Sequence, residues 1–432
     1  MADCLHEIDL SGQPFTLSFH PTRPLLACGL ITGDIEIHNL PSSSPPSLAS
    51  PSTSSSSSFS SPIDGTLVLM LRPFQSGASV RAVQFHPTIP TLLFMASAGG
   101  EVAIYDLTLK TTTKFFATSL DPTTGLPVGL NCLTFSLYSP HMMWTGDDSG
   151  TVRVFDVRTP TTGGTTSHIS SPVWAGDTHT DFVSCFVQGN GREPHAIVSA
   201  GGDGRVCVYD QRNPGSPFVK KSDDQEDEML SGLSMKSGRK LVCGSQGGVL
   251  NIWTWGTWGD VSDRFPGHPD SIDAMIKVDE STLVTGSSDG LLRVCSILPD
   301  KFIGVLGDHD GFPVEELEVN ANKTLLGSLS HDNKVRLWDA TVLFDGEGDE
   351  GEGEGDIDAV EMMREKGVGM GLGGEKGGEE EEEEEEEWED MEEEGEGDED
   401  MDEDSDEEED EEGGGGGKFK IQTEAEKFFS DL

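Results

Sequence analysis

The sequence is short of what several function classes need. Its seven cysteines, at positions 4, 28, 132, 185, 207, 243 and 295, form no CxxC pair. Neighbours in sequence therefore build neither a zinc knuckle nor a dithiol redox motif. Scattered in this way, and with Cys28, Cys207, Cys243 and Cys295 on expected strands, they read as buried, reduced thiols of an intracellular protein. Cationic residues are also scarce: 28 Lys and Arg stand against 79 Asp and Glu, a net charge of −51. The longest basic clusters are Lys220-Lys221 and Arg239-Lys240, too little for a phosphate-binding face, so direct nucleic-acid binding is not expected. No apolar run approaches the roughly 18 residues of a membrane span. The start MADCLHEIDL has no basic stretch followed by an apolar run, so no secretory signal is expected. No GxSxG, HExxH or spaced Cys/His set occurs, and the glycine-rich stretch 369–374 follows no expected strand. The expectation is a non-enzyme with no catalytic residue, cofactor or metal.

What is present is a repeat. Lys334 to Asp339 reads KVRLWD, with Val335 and Leu337 on one side and Arg336 and Trp338 on the other, which is strand periodicity. A turn residue lies five positions before the aromatic site, and the phrase recurs from Gly33, Gly100, Gly150, Gly204, Gly248, Gly290 and Asn333. The spacings are 67, 50, 54, 44, 42 and 43 residues. A period in the low forties with a Trp-Asp end is the mark of four-stranded propeller blades. The expected fold is all-β: a seven-bladed WD40 propeller over residues 1–340. The long first spacing is explained by 41–62, almost all Ser and Pro, expected as a disordered loop. The seventh blade runs out of sequence after its third strand, so Leu5 to Leu10 is expected to supply the fourth and close the ring. The pairs His179 with Asp203, His268 with Asp289 and His309 with Asp332 recur at blade-like spacing. They read as hydrogen-bonded braces, since a catalytic dyad would occur once.

Charge divides the chain. Residues 1–340 carry 37 acidic and 22 basic residues, while 341–432 carry 42 and 6. The stretch 341–417 is expected as a disordered acidic tail. Such a tail attracts basic proteins such as histones or ribosomal proteins, or serves solubility. Ser405, in Asp-Ser-Asp-Glu-Glu-Glu, suits an acidophilic kinase. The last stretch, 418–432, reads as a short helical or linear docking motif with Phe428, Phe429 and Leu432 as its apolar cluster.

Two third strands end in Asp-x-Arg: Phe155-Asp156-Val157-Arg158 and Tyr209-Asp210-Gln211-Arg212. This resembles the box by which some propellers engage the adaptor of cullin-RING ubiquitin ligases, with Asp156, Arg158, Asp210 and Arg212 as candidate contacts. An internal salt bridge is the competing reading.

The stretch Gln13 to Ile37, QPFTLSFHPTRPLLACGLITGDIEI, resembles the opening blade of the WD repeat-containing protein 55 family, including its fungal nucleolar members. The 80–106 blade, the seven-blade count, the acidic tail and the Phe-Phe-x-Asp-Leu ending agree. The resemblance implies a non-catalytic scaffold of the nucleus and nucleolus, needed for ribosomal RNA production and ribosome biogenesis. It implies pre-ribosomal protein partners, and its plant members point to the ubiquitin-ligase adaptor. No membrane partner and a monomeric ring are expected. The tail offers only Lys418 and Lys420 in place of a strong basic run, so entry to the nucleus in company with a partner is a further expectation.

Overall fold

The computed structural model describes residues 4–40, 66–74, 77–118, 120, 123–158, 171–191 and 193–344. The Ser/Pro insertion, the acidic tail from 345 onward, Ser405, Phe428, Phe429 and Leu432 lie outside the described residues. The described chain forms seven four-stranded antiparallel sheets, each in the order inner, second, third and outer strand. Six sheets are built from consecutive strands. The seventh combines Val314–Val319, Leu325–Ser330 and Lys334–Asp339 with the first strand of the chain, Cys4–Asp9. Ile8 lies opposite Val335, Glu7 opposite Arg336 and His6 opposite Leu337. The expected closure by the N-terminal strand is what the structure shows. A ring closed in this way leaves blade 7 no open third-strand edge.

Both faces of each inner blade region are covered, so strand residues are buried on both sides. Val335 and Leu337 pack with Ile8, Leu17 and Leu329 toward blade 1, whereas Trp338 packs with Val284, Val294 and Leu306 of blade 6. The described residues form seven apolar clusters, one between each pair of neighbouring blades. The hydrophobic core is thus a ring of seven seams.

A second closure lies at the channel wall. Glu316 and Glu318 of blade 7 accept hydrogen bonds from the backbone N–H groups of Leu17 and Phe19 in blade 1, at 2.6 and 2.8 Å. Between blades 1 and 2 the hydroxyls of Thr16 and Ser18 do the same for Val83 and Phe85, at 3.1 and 3.4 Å. The seam that joins the two ends of the ring uses buried carboxyl groups where its neighbour uses hydroxyls, and its bonds are the shorter. Burial pushes the Glu316 carboxyl up to about 7, against the pull of the Leu17 N–H. Ser11 beside the clasp also bonds Glu36, which meets buried His38 at 2.9 Å.

The repeat's turn residue has a backbone reason. Gly33, Gly100, Gly150, Gly204, Gly248 and Gly290 have φ between 68° and 87°, and Asn333 has 61°. That left-handed region favours glycine, with asparagine the mildest exception. At Gly150 a Cβ would stand 2.5 Å from the carbonyl oxygen of His179.

The His-Asp braces come out unequally. In blade 4, His179 meets Asp203 at 2.8 Å and Ser199 at 2.7 Å, and Ser199 meets the Tyr209 hydroxyl at 3.0 Å. In blade 7, His309 meets Ser328 at 2.6 Å and the Trp338 indole N–H donates to the same hydroxyl at 2.7 Å, but Asp332 stands 3.6 Å from the ring. In blade 6 the expected pair does not form. Asp289 is taken by Arg293 at 2.9 Å, and His268 bonds Thr285 instead. An arginine four residues beyond the turn outcompetes a neutral imidazole for the carboxylate. A further difference is at the edge of the acidic stretch, where Thr341–Phe344 forms one helical turn with Leu343 buried.

Burial pushes His268 down to about 4. The unfolded ring titrates near 6.5, so the unfolded chain binds the extra proton between those values. Stability therefore rises with pH from about 4 to 6.5 and is lost as pH falls, at a limiting slope of about 1.4 kcal/mol per pH unit for this group. Urea unfolding at pH 7 and pH 5 will show a smaller loss in His268→Gln than in the wild type; equal losses contradict the assignment. Gly150→Ala will lose about 1–3 kcal/mol in the same assay, whereas Asn333→Gly will not destabilise.

Candidate protein-interaction site

The inner strands share a defect that the repeat imposes. Each is interrupted at the same place by a register shift against its second strand, between residues 14 and 16, 80 and 82, 130 and 132, 183 and 185, 229 and 231, 272 and 274, and 314 and 316. A β-bulge leaves one residue unpaired and re-aims its side chain. The seven residues are Phe15, Arg81, Asn131, Ser184, Leu230, Asp273 and Glu315. All sit at the start of an inner strand, beside the turn between second and third strands, and so ring one mouth of the channel. The apolar residue before each one is nearly constant in character, while the bulged residue varies from aromatic to basic to acidic. A constant frame with variable chemistry is how a rigid scaffold carries a recognition surface.

Neighbouring members of this ring touch. Arg81 reaches Asn131 and, at 2.8 Å, Asp148 in the turn of blade 3. Asp273 accepts hydrogen bonds from Ser271 and Ser288, each at 2.8 Å. Glu315 meets His331 at 2.7 Å, and Phe15 lies edge-on to His331 with centroids 6.3 Å apart. Burial, reinforced by the Glu315 charge, pushes the Asp273 carboxyl up to about 6. The loops on this face are acidic. The connection from blade 4 to blade 5 reads Ser222-Asp-Asp-Gln-Glu-Asp-Glu228, and burial with Asp181 and Asp227 nearby raises the Glu228 carboxyl.

The Asp-x-Arg boxes lie at the opposite face, where third strands end. Arg158 donates to Asp156 through Nε at 3.0 Å and Nη2 at 2.7 Å. Arg212 does the same to Asp210, through Nε at 2.9 Å and Nη2 at 2.6 Å. Each arginine stays more than half exposed, at 64% and 56% of its side chain. The geometry is a two-pronged internal ion pair that fixes the guanidinium plane and leaves its outer edge toward solvent. Exposed Leu137 and Tyr138 lie on the same face, in the turn of blade 3.

The buried His-Ser-Asp set of blade 4 has the atoms of a hydrolytic triad but not the setting. His179, Ser199 and Tyr209 are each at most 3% exposed, and Lys221 holds the far oxygen of Asp203 at 2.8 Å. Burial opposes it, but bonds from His179 and Lys221 hold the Asp203 carboxyl well below the ordinary range. The set ties the second strand to the third and to the entry of blade 4. Among the described residues no group of three or more His, Cys, Asp or Glu is placed to hold a metal, all seven cysteines are free, and no helix is long and apolar enough to cross a membrane.

Removing the blade 4 network will be costly where removing the boxes is not. His179→Ala leaves buried Ser199 and Asp203 short of a partner, and will lower stability by about 2–4 kcal/mol in urea unfolding. Arg158→Ala with Arg212→Ala will leave the melting midpoint unchanged; a large drop would make the boxes structural.

A family model described as WDR55 matches residues 74–343 of the chain. The WD repeat-containing protein 55 homolog of Dictyostelium discoideum is 31% identical over 346 residues, covering 79% of this chain and 72% of that protein. The WD repeat-containing protein JIP5 of Cryptococcus neoformans is 31% identical over 341 residues, covering 78% and 81%. The WD repeat-containing protein 55 of Arabidopsis thaliana is 29% identical over 341 residues, covering 79% and 84%.

Proposed function

The chain belongs to the WD repeat-containing protein 55 family, and from that membership we propose that it is a non-enzymatic scaffold of ribosome biogenesis. It acts in the nucleus and nucleolus, on ribosomal RNA production, by holding protein partners. The observation that carries this reading is the mouth of the ring, where side chains of differing chemistry project from a frame repeated seven times amid acidic loops. Ribosome assembly handles strongly basic proteins, and a chain of net charge −51 complements them. The acidic tail, 341–417, acts as a chaperone-like collector of ribosomal proteins or histones, and 418–432 as a docking peptide.

A second reading is favoured by the boxes. Arg158 and Arg212 stand preset and exposed on neighbouring blades, which suits engagement of a cullin-RING ligase adaptor.

Purification of the tagged full chain from cells at moderate salt separates the two, because tail contacts are screened there while docked surfaces persist. Recovery of pre-ribosomal factors is the expected result, and in a parallel purification at low salt, where tail contacts survive, deletion of 346–412 will deplete the basic proteins recovered. Recovery of the ligase adaptor without pre-ribosomal factors, abolished by Arg158→Ala with Arg212→Ala, would overturn the first reading in favour of the second.

A further inference from the structure

Each blade ends at the rim of the ring in an outer strand that, among the described residues, has no strand on its far side. Such an edge presents a row of unpaired backbone N–H and C=O groups, and it accepts a further strand unless charge, proline or glycine guards it. Six of the seven edges are guarded. Thr111–Phe116 carries Lys114, Trp174–Asp177 ends in an aspartate, and Phe218–Lys221 ends in two lysines. Asp263–Pro266 has two charges and a proline, Lys301–Asp308 has a charge at each end and two glycines, and Cys4–Asp9 carries Glu7 and Asp9. Blade 1 is the exception. Its outer strand, Leu67–Leu71, reads LVLML, with no charge, glycine or proline.

This strand is also open to solvent. Leu67, Val68 and Met70 are 48%, 58% and 37% exposed, while Leu69 and Leu71 pack into the seam between blades 1 and 2. Val68 is the residue passed over by the register, which sets Ile37 against Leu69 and His38 against Leu67. The bulge re-aims its side chain, and it is the most exposed of the five. The next cation along the chain, Arg72, is drawn to Asp34 at 3.1 Å. On blade 4 Phe218 and Val219 are as exposed, but Lys220 and Lys221 follow them directly.

We propose that the outer edge of blade 1 pairs with the same edge of a second copy of the chain, antiparallel and two-fold about Leu69, joining two first blades into one eight-stranded sheet. The order of the residues identifies the occupant. Read from Leu69 in either direction the strand is apolar, so the two-fold sets Leu67 opposite Leu71 and Val68 opposite Met70. Every cross-strand pair is then apolar, and Arg72 falls opposite Thr66 instead of meeting its own copy. A strand from another protein would not need this symmetry. Two rims that meet along five residues bury less than a permanent interface does, so the dimer is weak, with Kd on the order of 10 μM. The net charge of −51 on each copy adds a long-range repulsion that salt screens. The inference goes beyond both readings of the two faces and depends on neither.

Sedimentation velocity of the full chain, from about 1 to about 200 μM and at about 0.15 and 0.4 M NaCl, tests it. The weight-average mass will climb from 46.4 kDa toward twice that value, more steeply at the higher salt. Val68→Lys with Met70→Lys will weaken self-association at least tenfold while the melting midpoint stays unchanged, and Val219→Lys will leave it as in the wild type. The register has its own readout. An equal mixture of Val68→Cys and Met70→Cys chains, oxidised with diamide, will form a disulfide-linked dimer severalfold faster than either variant alone or the wild type, because the two-fold sets position 68 against position 70. A double lysine variant that still dimerises, an equal loss in Val219→Lys, or equal cross-linking of mixed and single variants would overturn the proposal. So would a chain that stays monomeric to about 200 μM at both salts, which would leave the edge to a strand from another protein.

Discussion

The pairing of the first strand of the chain with the third strand of blade 7 is the constraint on which the structure depends. Seven twisted sheets stack into a ring only if the last meets the first, and the register of Ile8 against Val335 joins residues more than 300 positions apart. Without it Trp338, the one literal Trp-Asp end in the chain, would form part of an open edge. The carboxylates of Glu316 and Glu318 close the same seam from the channel side. Two independent sets of bonds therefore hold one junction, an outer set of backbone pairs and an inner set from side chain to backbone. In every other blade the four strands follow one another along the chain, so blade 7 alone depends on a strand from the far end of the described sequence.

Because the ring is rigid, its two faces can carry chemistry without reshaping the core. The bulge in each inner strand recurs because the blade recurs, and it re-aims one residue in each repeat at no cost to the ladder on either side. Selection can then vary Phe15, Arg81, Asp273 or Glu315 while Val80, Ile272 and Val314 stay apolar and buried. The opposite face uses another device, an arginine clamped by the aspartate two residues before it. The fold keeps the two apart: packing lies in seven seams, and side chains of variable chemistry stand at two rims.

The fold was legible because its signals repeat. One turn glycine proves little, but six glycines and an asparagine at a fixed offset from an aromatic site specify a period, and each adopts the left-handed backbone that the period requires. The missing fourth strand of blade 7 was legible by the same arithmetic. The braces were legible in part. His179 and Asp203 pair as their spacing implies, while Asp289 turns to Arg293, because spacing shows which residues come close but not which partner wins the charge. The mouth was not legible. A bulge is a register event between strands, and the bulged residues share no chemistry, so no motif marks them until the pairing is known. The Asp-x-Arg boxes were legible as residues, and their geometry joins each arginine to its own aspartate while leaving it exposed.

The most direct measurement of the central claim is amide hydrogen exchange across Lys334–Asp339 in the full chain and in a variant lacking residues 1–10. If the first strand closes the ring, the amides of Val335 and Leu337 are among the slowest to exchange in the full chain. In the variant they lose that protection, together with Leu17 and Phe19 across the seam, while blade 4 is unchanged. Equal protection of Val335 and Leu337 in the two proteins would contradict the account, because it would show that blade 7 completes itself without the N-terminal strand.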